Sequence, residues 1–208
     1  MEKRSVERSL DASIKDGAAF AVMTGLGDVS YVAACALFLG ASESAVALLV
    51  TLPVFLGACA QLLAPMLIER TGRRKMIFVA GSAAQAACWA PMLAAPLVGR
   101  PYGFWLLFGG FVLSFACVHV GIPAWTSVMG DLVPPAQRGR FFGRRSALAL
   151  TLQLAAMIVA GAGLAVYERA GHESLGYAVL FGGALAARVV SVSYLARMAE
   201  PPLAHRPE

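Results

Sequence analysis

Six long apolar stretches dominate this chain, at residues 18–39, 44–68, 76–98, 104–130, 146–167 and 174–198. Each reaches the ~20 helical residues needed to cross a hydrocarbon layer. The second, third and fifth are free of charge. The first contains Asp28, the fourth His119, and the sixth Arg188 in its interior. Gly40, Gly72, Gly99-Arg100-Pro101, Pro134-Pro135 and Gly171 punctuate the intervals. Interior prolines such as Pro53, Pro91 and Pro123 are compatible with membrane helices, where neighbouring spans re-satisfy the freed carbonyls. No run of alternating ~10-residue segments suggests a barrel. The apolar fraction of 59% and charged fraction of 14% lie well away from the ~45–50% and about 25% of soluble domains. A soluble enzyme, a disordered tail and a disulfide scaffold are therefore excluded as classes. The expected fold is an all-α integral membrane domain of six transmembrane helices. Residues 1–17 form a polar cytoplasmic segment without a cleavable signal pattern, and residues 199–208 a cytoplasmic tail.

The net charge of +5 orients the bundle and does not imply nucleic acid, because the cations sit in short clusters between apolar runs. Lys3, Arg4, Arg8 and Lys15 precede the first span. Arg70, Arg73, Arg74 and Lys75 follow the second, Arg138, Arg140, Arg144 and Arg145 follow the fourth, and Arg197 and Arg206 close the chain. The opposite side holds Arg100 and Arg169. This asymmetry predicts an inner or plasma membrane protein with both termini cytoplasmic. Cys35, Cys59, Cys88 and Cys117 all lie in apolar runs and read as small buried thiols. A soft-metal path is disfavoured because no two share a helix and no C-x-x-C occurs, so no metal site is expected.

The loop Pro65-Met66-Leu67-Ile68-Glu69-Arg70-Thr71-Gly72-Arg73-Arg74-Lys75 resembles the signature loop of the major facilitator superfamily, G-x-x-x-D-R-x-G-R-R. It occupies the same place, between the second and third spans. Pro65 stands for the leading glycine and Glu69 for the aspartate. Asp131, followed by Pro134-Pro135-Ala136-Gln137-Arg138-Gly139-Arg140, is similar to the family's next loop on that face. Glu69, Arg70, Gly72, Arg73, Arg74, Asp131, Arg138 and Arg140 are the expected gate, in which Arg73 or Arg74 pairs with Asp131 to hold one of two helix arrangements. The competing reading is that these cations set topology and touch anionic headgroups. The resemblance implies a six-span half built of two inverted three-helix repeats, in a family that usually joins two such halves. A homodimer, closed by a two-fold axis along the membrane normal, is the expected assembly. A complementary six-span half, a truncated transporter and an inactive scaffold are its rivals.

Ionisable groups at bilayer depth are expensive and usually functional. Counted from the span ends, Asp28, His119 and Arg188 share a depth of roughly 15 Å. Thr24, Asp28, Tyr31 and Cys35 recur at helical spacing, predicting one polar stripe along the first span. Gly25 and Gly27 beside Asp28 allow close approach or bending. The resemblance places the first and fourth spans on the central path, and with them Asp28 and His119. Burial favours a neutral carboxylate and a nearby cation a charged one. Asp28 is accordingly the expected proton carrier, with His119 as partner or solute contact. Its structural alternatives are a pair with Arg188 or a helix cap, and that of His119 is a hydrogen-bonded packing histidine. Arg188 has the alternative of snorkelling to the headgroups. Trp125 is a candidate cavity wall. Trp89 and Trp105 read as packing or interfacial anchors, and Gln61, Gln85 and Gln153 as solute contacts or interhelical glue. Ala156, Ala160, Gly161 and Ala165 of the fifth span, with the second span, are the expected dimer strip. The functional expectation is a proton-coupled secondary transporter moving a small solute by alternating access through the lipid bilayer. No P-loop, H-E-x-x-H or serine elbow appears, so neither an enzyme nor a cofactor is expected.

Overall fold

The structure is a computed structural model that describes residues 3–202. Arg206 and the rest of the tail beyond Pro202 lie outside the described residues. The first span is α1 (Lys3–Leu26) followed by α2 (Val29–Phe38), and the second is α3 (Glu43–Gln61) followed by α4 (Leu63–Thr71). The third is α5 (Arg74–Val98), the fourth α6 (Tyr102–Leu132), the fifth α7 (Arg138–Arg169) and the sixth α8 (Glu173–Leu195). All six are long and apolar enough to cross a membrane, and no strand occurs among the described residues.

The two interrupted spans have identifiable causes. At Gly27-Asp28 the chain leaves the helix, and the Asp28 carboxylate accepts the Ser30 N–H at 2.9 Å to start α2. Gly27 is required there because the Trp89 indole occupies the space a Cβ would fill. The second span steps at Leu62, three residues before Pro65. Pro65 has no N–H for the Gln61 carbonyl and its ring crowds that carbonyl, which breaks the ladder. Pro53, Pro91 and Pro123 lie inside unbroken helices. Gly72 then ends α4 at φ 63°, a left-handed cap that a side chain would strain.

Packing neighbours run in the order fifth, first, sixth, third, fourth, second. Replacing each span by the one three places along the chain reverses this order and leaves it unchanged. That is the arrangement of two three-helix repeats of opposite orientation. The first and fourth spans touch only sparsely and flank the sixth and third. The second and fifth stand at the ends, and their apolar windows are only 17% and 11% buried.

Two apolar clusters form the core. One gathers Met23, Leu49, Trp89, Met92, Leu107, Phe111 and Phe181. The other gathers Ala12, Ile77, Phe78, Val128, Met129 and Leu195, toward the face of the termini. Along the first, third and sixth spans a polar layer falls between them: Asp16 between Ala12 and Met23, Ser82 and Gln85 between Phe78 and Trp89, Arg188 and Ser191 between Phe181 and Leu195.

Candidate functional site

A cavity of about 550 Å³ opens among the first, third, fourth, fifth and sixth spans. Phe20, Trp89, Phe111, Phe115 and Trp125 supply much of its apolar wall. Asp16, Arg145 and Arg188, from three different spans, carry charge at one level of it.

Asp16 is 4% exposed. Its Oδ2 accepts from the Arg145 guanidinium at 3.3 Å, and its Oδ1 accepts the Ser191 hydroxyl at 2.7 Å. Arg145 also donates to the Ser13 carbonyl at 3.1 Å and lies 4.6 Å over the Trp125 ring. Arg188 donates through Nη1 to Ser191 Oγ and through Nη2 to Ser82 Oγ, both at 2.8 Å. Its guanidinium sits 4.8 Å over the Phe20 ring. The chain Ser82–Arg188–Ser191–Asp16–Arg145 therefore joins the first and third spans to the fifth and sixth. Every link crosses from one three-span repeat to the other or stays within the sixth span.

The expected site residues fall at different levels of this cavity. Helix α1 runs unbroken from Lys3, so Asp28 stands twelve residues beyond Asp16, or about 18 Å along the axis. Arg188 lies seven residues from the end of α8 and His119 thirteen from the end of α6, roughly 10 and 20 Å in. The shared depth expected of Asp28, His119 and Arg188 is not found, because α1 starts well before residue 18, α6 runs on to Leu132 and α8 ends at Leu195. Asp28 is a helix cap and lines the cavity; its hydrogen bond is to Ser30. Arg188 is fully enclosed and does not snorkel.

The helix break also divides the predicted stripe. Thr24 lines the cavity, and its hydroxyl bonds back to the Ala21 carbonyl. Tyr31 instead donates to the Met157 carbonyl of the fifth span at 2.6 Å, and Cys35 is sealed in the core. His119 lines the cavity, bonded at Nδ1 to the Phe115 carbonyl at 2.8 Å and stacked on the Phe115 ring. Trp125 lines it as well. Gln85 and Gln153 reach the cavity, whereas Gln61 is not among its lining residues. Trp89 packs in the core, Trp105 is exposed, and Cys59 is exposed on the bundle rather than buried.

At the face of the termini, Arg74 makes the pair that was open between Arg73 and Arg74. It is 2% exposed and donates to Asp131 Oδ2 at 2.6 Å and Ser127 Oγ at 2.9 Å. Its Nη2 donates to the Pro201 carbonyl at 2.8 Å. Arg138 caps the fourth span by donating to the Gly130 and Val133 carbonyls. Glu69, Arg70, Arg73 and Arg140 are exposed and have no ion-pair partner among the described residues. The expected Glu69–Asp131–Arg constellation thus reduces to Arg74–Asp131. Glu69 sits at the end of α4, which the Pro65 step separates from α3. The small residues of the fifth span are likewise committed elsewhere. Ala156 packs against Gly25, Gly161 lies against the Tyr31 hydroxyl, and Ala156 and Ala160 are buried within the lobe. The outward face of that span carries Leu150, Leu154, Ile158 and Val159.

Asp16 and Arg145 were not legible as a site. Asp16 falls in a segment whose charges look solvated, and Arg145 in a basic cluster that topology alone explains. The usable signal is a spacing: Ser9, Ala12, Ser13 and Asp16 are small or short residues at helical intervals, and all are buried.

Six spans packed in the order of two inverted repeats around a charged, aromatic-walled cavity define a multi-pass membrane protein of transporter-like architecture. The sequence model of the Major Facilitator Superfamily matches residues 17–208, and the chain belongs to that family. No curated protein and no solved structure matches the chain.

Proposed function

We propose that this chain is a half-size secondary transporter that moves a small solute by alternating access, driven by protons, with two copies enclosing the pathway in an inner or plasma membrane and both termini cytoplasmic. The observation that carries this reading is the ionic layer in the cavity. A carboxylate shared by spans from both repeats is a switch whose state changes how those repeats are held. Of the two cavity carboxylates, Asp16 is the better proton carrier. Its partners are side chains that can move, whereas Asp28 is engaged by the backbone at the start of α2. Protonating Asp16 weakens the hold on Arg145 and Ser191 together, while the Arg74–Asp131 pair latches the face of the termini until the third and fourth spans part.

Pairing through a second copy is supported by the second and fifth spans, which end the helix row and leave apolar residues such as Val54, Phe55, Leu154 and Ile158 outward. With both ends of the bundle on one face, a two-fold axis along the membrane normal joins two copies in the same orientation. The test is proton-gradient-driven uptake of a labelled solute panel into proteoliposomes, at protein-to-lipid ratios falling below one chain per vesicle. Uptake per chain that collapses on dilution is expected; undiminished uptake by solitary chains contradicts the pair.

A further inference from the structure

We infer that the cavity binds an organic anion, its carboxylate or phosphate-like oxygens facing Arg188 and its apolar body against the aromatic wall. This rests on the transport reading above and names the substrate class for that site. Arg188 is 2% exposed, and its two bonded nitrogens reach only the neutral hydroxyls of Ser82 and Ser191. Its Nε has no partner. The nearest carboxylate, Asp16, is in direct contact with the other guanidinium, Arg145. A buried cation without a contacting counter-charge is costly, and an anionic ligand supplies what is missing. Guanidinium is also well suited to oxoanions, offering five donors in a rigid fork.

The rest of the cavity sharpens the class. Its other charged groups are Asp16, Arg145 and Asp28, with His119 beside them. At the level of Arg188 the two arginines exceed the one aspartate. The compensating charge, Asp28, lies about 18 Å away along the helix and already faces the N-terminus of α2, where a negative charge is stabilised. Gln85, one turn from Ser82, is 5% exposed with its Oε1 unpartnered; turned over, its amide offers another donor. Phe20 and Trp125 both line the cavity and hold the Arg188 and Arg145 guanidiniums over their rings. The charged groups near Asp16 are Arg145 from the fifth span, in contact, and Arg188 from the sixth, one hydroxyl away through Ser191. Neutralising Asp16 removes Arg145's contacting carboxylate and the one negative charge near Arg188, so proton uptake and anion binding reinforce each other. Reciprocal coupling of this kind is what links a solute to a proton moving the same way.

The test is equilibrium binding of benzoate, octanoate, benzylamine and benzyl alcohol to the full chain in lipid nanodiscs, read by quenching of tryptophan fluorescence and by calorimetry. Saturable binding of benzoate or octanoate, at least about tenfold tighter than benzylamine or benzyl alcohol (~1.4 kcal/mol), is expected. Arg188→Gln should abolish the preference and Arg188→Lys retain part of it. Asp16→Asn should tighten benzoate binding several-fold, a gain that damaged folding does not produce. Equal binding of the three aromatic probes, preference for benzylamine, or no saturable binding of either anion overturns the inference. Anion binding without flux in proteoliposomes overturns the transport reading and leaves the anion site standing; flux of cations without anion binding does the reverse.

Discussion

Two carboxylates of the first span line the cavity, Asp16 and Asp28, and they differ in what they hold. Asp16 ties side chains of the fifth and sixth spans into one network. Asp28 starts a helix within its own span. One is a contact between repeats and the other a local stop and restart of the backbone. An acidic residue inside an apolar run is therefore not by itself a working site. What counts is whether its partners belong to elements that move relative to it. By that criterion the buried Asp16–Arg145 pair and the half-exposed Arg74–Asp131 pair are alike, since both cross between the repeats. They differ in setting: one lies in the cavity, the other at the membrane face beneath Pro201.

Substitutions that separate the two carboxylates break or sharpen this contrast. The largest effect is expected for Asp16→Asn, which keeps the shape and removes the charge. Proton-driven uptake should fall by at least about tenfold, equivalent to ~1.4 kcal/mol in the barrier, while the protein still assembles in the membrane. Arg74→Ala comes next. It removes a charge-assisted pair and two further hydrogen bonds, and labelling of a cysteine placed at Ser127 should accelerate several-fold; unchanged labelling would mean the pair latches nothing. For Asp28→Ala the loss is that of an N-cap, about 1 kcal/mol, read as a lowered thermal midpoint. Asp28→Asn, which still caps, should restore both the midpoint and most of the uptake. Tyr31→Phe removes one hydrogen bond to the Met157 carbonyl and should cost about 1 kcal/mol in the same melting assay. Glu69→Gln is the smallest, with no change in labelling or melting.

The number of spans and an arginine–Asp131 pair after the second span were legible because each depends on local pattern. Apolar length sets a span, Gly72 sets a left-handed turn, and a basic cluster beside Asp131 leaves few possible pairs. The site itself was less legible. The Asp16 network joins residues 16, 82, 145, 188 and 191, and only the order in which the helices pack brings these together. The break at Gly27-Asp28 was equally hidden, since it depends on Trp89 from another span filling the space beside the glycine. Asp28 drew attention because it interrupts an apolar run. Asp16 escaped it because Asp11 and Lys15 flank it in sequence, whereas its bonded partners, Arg145 and Ser191, come from distant spans. The small residues of the fifth span have the spacing of a contact strip and form one, but with the first span of the same lobe.

The central claim is that Asp16, not Asp28, carries the exchangeable proton of the cavity. Infrared difference spectra of the protein in lipid vesicles, recorded across a pH titration in the intact chain and in the Asp16→Asn and Asp28→Asn variants, test it without knowledge of the solute. The account predicts that one component of the titrating carboxyl absorption, distinct from that of the exposed acids, is lost in Asp16→Asn and kept in Asp28→Asn. A component that is kept in Asp16→Asn and lost in Asp28→Asn would contradict it.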